Sequence, residues 1–224
     1  LQLKPSQRAA LSGADIVVYY ADTLEAFMPK LRQADAPKLY LPLGAKESGD
    51  GFAWLNPARA RRLIRLLAVN LAKQDPEHEA AYLANAKTAE SKIHAAGEAW
   101  RGILQPSGAR PASAELGMVY TIASDHPAFA PFAEYFLQDP VLAMEKPGGG
   151  ISAKAFSGMA KQPLKCIFVT HGHSHTAERL AESTRAKLIT DFNPLGTGLT
   201  PGTELYFELM EQLVKQFAAC ASPV

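Results

Sequence analysis

DPEHEAAYLANAKTAESKIHAAGEAWRGIL, residues 75–104, is the stretch on which the architecture turns. Asp75 and Pro76 make a helix start: a side chain that accepts from free N–H groups, then a ring that fixes φ where no N–H partner exists. No proline follows between Glu77 and Ile103, and Ile93, Ala96, Trp100 and Ile103 recur at helical spacing. A single helix of about 28 residues would be roughly 42 Å long. That is more than one small domain needs, and it suits a spacer between two lobes.

Upstream of this rod, Pro5 to Leu11 reads as a short helix, and Asp15 to Tyr20 as the apolar, β-rich run of a buried parallel strand. Thr23 is placed to cap a helix to about Arg32, and Lys38 to Leu41 is a second short strand. Pro42 to Asp50 is polar and holds glycines, the composition of a surface loop. Asn56-Pro57 opens a further helix with Leu63, Leu66, Leu67 and Leu71 on one face.

Downstream, strands and helices alternate. Strands are expected at Met118–Ile122, Val141–Met144, Lys165–Val169 and Lys187–Ile189. Helices are expected at Ala128–Phe136, from a Ser152 cap to about Lys161, at Thr176–Thr184, and from Thr200-Pro201 to the end. In the last, Tyr206, Leu209, Leu213 and Phe217 form the apolar stripe. Units of this length argue for parallel sheet. The expected fold is α/β: two lobes with parallel sheets flanked by helices, joined by one long linker helix. Residues 1–75 form the N-terminal lobe, 76–104 the linker and 105–224 the C-terminal lobe.

Lys+Arg 23 against Asp+Glu 22 leaves a net charge of +1, so the totals give no electrostatic case for nucleic acid or an anionic membrane surface. No apolar run approaches the roughly 18 residues of a membrane span. Leu1 to Gln7 carries neither the apolar core nor the cleavage site of a signal peptide. Cys166 and Cys220 fit one disulfide in an oxidising compartment, and equally two buried thiols.

In open α/β sheets ligands bind beyond the carboxyl ends of the strands. Ala123-Ser-Asp-His126, Thr170-His-Gly-His-Ser-His175 and Thr190-Asp-Phe-Asn193 each follow an expected strand, and together hold four of the six histidines and two acids. Imidazole and carboxylate suit zinc and manganese. Each residue also has a plainer role: His126 as a cap or surface residue at a helix entry, Asp191 and Asn193 as turn formers, His171, His173 and His175 as a solvated loop.

The histidine run resembles the zinc motif of metallo-β-lactamase-fold hydrolases, His-x-His-x-Asp-His. The acid is missing, however, and the 224 − 175 = 49 residues after His175 contain no histidine. Lys146-Pro-Gly-Gly-Gly150 has no Lys-Ser/Thr sequel and makes no phosphate loop.

In order along the whole chain, the motifs resemble those of the zinc- and manganese-specific solute-binding proteins of ABC importers, the ZnuA/TroA type. Leu3-Lys-Pro-Ser-Gln7 is similar to the segment after that family's first ligand histidine, and Trp54-Leu-Asn-Pro57 to its His-x-Trp-Leu-Asp-Pro element. Ser124-Asp-His126 leading into Phe129 and Phe132 resembles its third ligand turn. Pro194-Leu-Gly196, Thr200-Pro-Gly202 and Tyr206-Phe-Glu-Leu209 resemble its closing element. The cysteine separation, 220 − 166 = 54, is similar to the C-lobe disulfide of zinc-specific members.

The resemblance implies a monomeric periplasmic protein, with no catalytic activity, that captures Zn²⁺ first and Mn²⁺ second between its lobes and delivers it to an inner-membrane permease. It also implies that the family's first strand–helix–strand portion, with the first ligand histidine, lies upstream of Leu1. Two ligand positions depart from the family: Phe52 stands where the second histidine is expected, and Asn193 where the acid precedes Pro-Leu-Gly. The Thr170–His175 run replaces a Glu-Pro-Gln-Phe stretch. The expected ligands are therefore His126 and Asp191 with His171 or His173, and His175 and Asn193 stand as further candidates. The alternative is a scaffold without high-affinity metal binding that acts through a partner.

Overall fold

The computed structural model describes residues 4–20, 25–34, 39–42, 52–104, 121–125, 127–137, 141–144, 152–170 and 174–221. Strands β1 (Ile16–Tyr19) and β2 (Leu39–Pro42) pair in parallel, with Ile16 opposite Leu39. Helices α1 (Pro5–Ser12) and α2 (Met28–Ala34) belong to this part, where Val17, Met28 and Leu31 make a small core. Helix α2 begins later than its expected start; the proposed cap, Thr23, lies outside the described residues.

The chain then turns through a 3₁₀ segment, Ala53–Leu55, into α3 (Pro57–Gln74). The Asn56 side chain caps α3 by accepting from the N–H groups of Ala58 and Arg59 at 3.0 and 3.2 Å. After a 3₁₀ turn at Pro76–His78 comes α4 (Glu79–Leu104), whose 26 residues make a rod of about 39 Å. It is not a bare spacer, because α3 folds back along it as an antiparallel hairpin.

The hairpin corrects the expected leucine stripe of α3 and keeps that of α4 except at Ile103. On α3 the buried residues are Pro57, Ala60, Ala68 and Ala72, while Leu66 is 40% exposed. On α4 they are Ala86, Glu90, Ile93, Gly97 and Trp100, while Ile103 is 54% exposed. Small side chains let the two backbones approach, and the leucines are left toward the rim. At Gly97 a methyl group would lie 2.9 Å from the Tyr135 hydroxyl and 3.3 Å from Pro57 Cβ, so only hydrogen fits without displacement. The buried Glu90 carboxylate is held by a two-pronged bond from Arg65, Nε to Oε1 at 3.1 Å and Nη2 to Oε2.

The second sheet is four-stranded and parallel, in the order β4-β3-β5-β6, with β3 Thr121–Ser124, β4 Val141–Ala143, β5 Leu164–Phe168 and β6 Lys187–Ile189. Of the strand expected from Met118, residues 118–120 lie outside the described residues, and pairing runs on to Ser124. Helices α5 (Ala130–Phe136), α6 (Ala153–Met159), α7 (His175–Thr184) and α8 (Leu205–Ala221) complete this part. Helix α8 starts five residues after Thr200, beyond Pro201 and Gly202. Its buried face is Leu209, Met210, Leu213, Val214, Phe217 and Cys220, and Tyr206 is only partly covered.

The main core joins the two parts. Phe52, Leu55 and Trp100 share it with Phe129, Phe132, Phe168, Phe192 and Phe217. Phe129 stacks on Phe192 at 3.6 Å, and Phe217 on Phe168 and Phe132 at 4.3 and 4.4 Å. Cys166, in the middle of β5, is disulfide-bonded to Cys220 of α8, with Cα atoms 6.0 Å apart. Of the two states the sequence left open, the bonded one is found.

Candidate metal site at the strand ends

The carboxyl ends of β3, β5 and β6 lie side by side, because these strands are consecutive in the sheet. Ser124 pairs with Phe168, and Phe168 with Ile189. The order continues past the strands. Asp125 N–H donates to Phe168 O at 3.1 Å, Val169 N–H to Ile189 O at 2.9 Å, and Phe192 N–H returns to Val169 O at 3.1 Å. These bonds bring residues 125, 170 and 191 to one edge.

Asp191 is the extra residue in this arrangement. It adopts φ 65°, the left-handed region, and is exposed. A left-handed non-glycine residue costs on the order of 1 kcal/mol. The excursion lets Phe192 turn into the core, where it is fully buried, and leaves the carboxylate outside. Thr190 Oγ1 donates to Asp191 Oδ2 at 3.2 Å.

Asn193 is engaged at both ends of its amide: Nδ2 donates to Thr197 O at 2.7 Å, and Oδ1 accepts from Thr197 N–H at 3.0 Å. This closes the 193–197 loop. His175 opens α7, whose cap is Ser174 accepting from Ala177 N–H at 3.3 Å. The His175 side chain is 96% exposed, and its Nδ1 lies 3.3 Å from Glu178 Oε2. His126, His171 and His173 lie outside the described residues. Among the described residues no three histidine, cysteine or acidic side chains gather as a metal cluster.

Against the 193–197 loop lies an aromatic wall. Phe52 is buried, and its ring meets Trp54 edge-on at 5.2 Å. Tyr20 meets Trp54 at the same separation, 5.2 Å, and its hydroxyl accepts from Ala53 N–H at 3.2 Å. Trp54 Nε1–H donates to Pro194 O at 2.9 Å, tying this wall to the loop that Asn193 closes.

Across residues 1–220 the sequence matches the family described as zinc-uptake complex component A, periplasmic (ZnuA). The chain belongs to that family. ZnuA is a family of zinc-uptake components and not of enzymes, and the hydrolase reading of the histidine run falls with it. The high-affinity zinc uptake system protein ZnuA of Paracoccus denitrificans (strain Pd 1222) is 26% identical over 177 residues, 76% of this chain and 51% of that protein. The chain thus spans about half the length of that curated relative.

A crystal structure of ZnuA superposes with a TM-score of 0.77 at 21% identity, covering 99% of this chain and 85% of that one. The laminin-binding protein Lmb of Streptococcus agalactiae, a bifunctional protein with adhesin and metal transporting activity, gives 0.74 at 22% identity over 97% and 86%. These likenesses establish the fold.

Two residues that the sequence did not single out are prominent in the geometry. Thr170 donates to the Asp125 carboxylate through its main-chain N–H, at 3.0 and 3.1 Å, and through its hydroxyl, at 3.0 and 3.2 Å. The available signal was an acid and a threonine each at the end of an adjacent expected strand.

Proposed function

We propose that this chain captures Zn²⁺, with Mn²⁺ second, as the periplasmic solute-binding component of an ABC importer, and delivers it as a monomer to an inner-membrane permease. The lobes are residues 1–75 and 105–224, with 76–104 as the linker, and the site lies at the strand ends of the C-terminal lobe. His126 and Asp191 with His171 or His173 are the ligands. Asn193, whose amide is spent on Thr197, shapes the loop, and His175 remains at the rim.

The observation that carries the reading is the left-handed Asp191, which turns a carboxylate out of the ladder beside the chain leaving β5. Strained backbone at a strand end is the kind of feature that persists where a side chain must be aimed. Calorimetric titration with Zn²⁺ tests it on wild type, His126→Ala and Asp191→Gly. Glycine relieves the left-handed conformation, so Asp191→Gly should melt no lower than wild type while zinc affinity drops at least about tenfold. Zinc should also raise the melting temperature of wild type, because a ligand for the native state alone stabilises it by mass action. No heat from wild type would end this reading.

A second reading has its own support. Phe52 offers no lone pair, and Asn193 offers an amide that is already engaged. Both favour a scaffold without high-affinity metal binding, acting through a protein partner. It predicts no zinc-dependent shift in melting.

A further inference from the structure

We infer that Asp125 is the positioning residue of the candidate metal site, a latch that fixes the exit of β5 against the exit of β3 through Thr170. The inference rests on the zinc reading above and says how its two loop entries come to be held together. Asp125 follows β3 directly, and Thr170 lies two residues beyond the end of β5. Both carboxylate oxygens of Asp125 face Thr170, receiving its N–H at 3.0–3.1 Å and its hydroxyl at 3.0–3.2 Å.

The contacts have three physical consequences. Bonds to an ionised carboxylate are stronger than neutral ones, and two donors on one residue fix its orientation as well as its distance. Thr170 is the last residue before His171, and Asp125 the last before His126, so the tie acts one peptide from both proposed ligand segments. Ligands drawn from two separate chain exits must otherwise be ordered by the metal itself, and each residue so ordered weakens binding. A tie formed before the metal arrives removes part of that penalty. Partners of this kind, outside the ligand set, typically shift metal affinity by 10–100-fold.

With its oxygens turned to Thr170, Asp125 acts through hydrogen bonding and not as a ligand. An amide keeps that capacity: Asn at 125 still accepts from the Thr170 N–H through its oxygen, while its NH₂ meets the rotated hydroxyl. The experiment is zinc affinity by chelator competition, with melting temperature and amide exchange at Thr170, on the full chain. Asp125→Ala should lose affinity at least about tenfold and release the Thr170 amide to faster exchange. Asp125→Asn should stay within about threefold of wild type, and Thr170→Ser likewise, since both keep the latch. Thr170→Val should lose part of the affinity and add nothing on top of Asp125→Ala, as expected for partners in one interaction.

Asp125→Asn falling as far as Asp125→Ala would make Asp125 a ligand and overturn the latch. Unchanged affinity in Asp125→Ala, with zinc binding intact in wild type, would overturn it as well. No zinc heat from wild type would instead bring down the zinc reading, and the latch with it, so the two failures are distinct.

Discussion

Two regions joined by the Trp54–Pro194 hydrogen bond are built from opposite chemistry. On one, Tyr20, Phe52 and Trp54 meet edge to edge, and the polar atoms of Tyr20 and Trp54 are committed to Ala53 and Pro194. On the other, the exits of β3, β5 and β6 present Asp125, Thr170, Thr190 and Asp191. The first side is packed and apolar; the second carries two carboxylates. The zinc reading proposed above thus puts recognition on one side, while the aromatic side fixes the loop at residue 194.

The most severe test removes the packing beneath both sides. Phe129, fully buried against Phe192, Phe168 and Phe217, should cost about 3–5 kcal/mol when changed to alanine. Urea unfolding measures it, and a loss below about 1 kcal/mol would show that the two sides do not share a core. Next, Phe52→His puts an imidazole into the aromatic side. One-sided recognition predicts zinc affinity within about threefold of wild type and a stability loss of about 1–3 kcal/mol from a buried polar ring. A tenfold gain in affinity would break the contrast.

Trp54→Phe keeps the ring and removes the N–H that reaches Pro194, so stability should fall by about 1 kcal/mol. Faster proteolysis within 193–197 would confirm that the bond holds the loop. The smallest effect lies away from both regions, at the turn between α3 and α4. There the His78 ring and then the Tyr82 hydroxyl, both bonded to Asp75, hold its carboxyl below the usual carboxylate range. With the folded pKa lower than the unfolded one, the contribution is full above about pH 4 and disappears as pH falls through the folded value. Asp75→Asn should thus flatten the acid limb of the urea midpoint against pH, and matching limbs would refute it.

How far the sequence carried the fold depended on whether the deciding interaction was local. Asn56 and Ser152 each cap the helix expected after them, because a cap bonds only two or three residues away, whereas Asp75 gives its carboxylate to the His78 ring and the Tyr82 hydroxyl instead of to free N–H groups. β6 lies where Lys187–Ile189 read as a strand, a short apolar run between polar neighbours. The stripe on α3 failed for a tertiary reason. Leucine periodicity marks one face, but α4 docks on the alanine face, where the backbones come closer.

The candidate site divided the same way. Asp191 was legible as a turn former, and the structure adds that it takes the left-handed conformation. The closure of the 193–197 loop by Asn193 and the tie between Asp125 and Thr170 depend on backbone directions that no spacing encodes. The second joins residues 45 apart.

Glu90 adds a constraint on the whole arrangement. The carboxylate in the hairpin seam takes two bonds from Arg65, a pairing that marks one register of α3 against α4, and sliding α3 by a turn would break both. Gly97 against Pro57 denies the same slip by shape. The hairpin therefore works as a ruler with a locked scale. One notch, about 5.4 Å, would carry Trp54 out of reach of Pro194, so the contact between those two residues is set at the far seam of two helices.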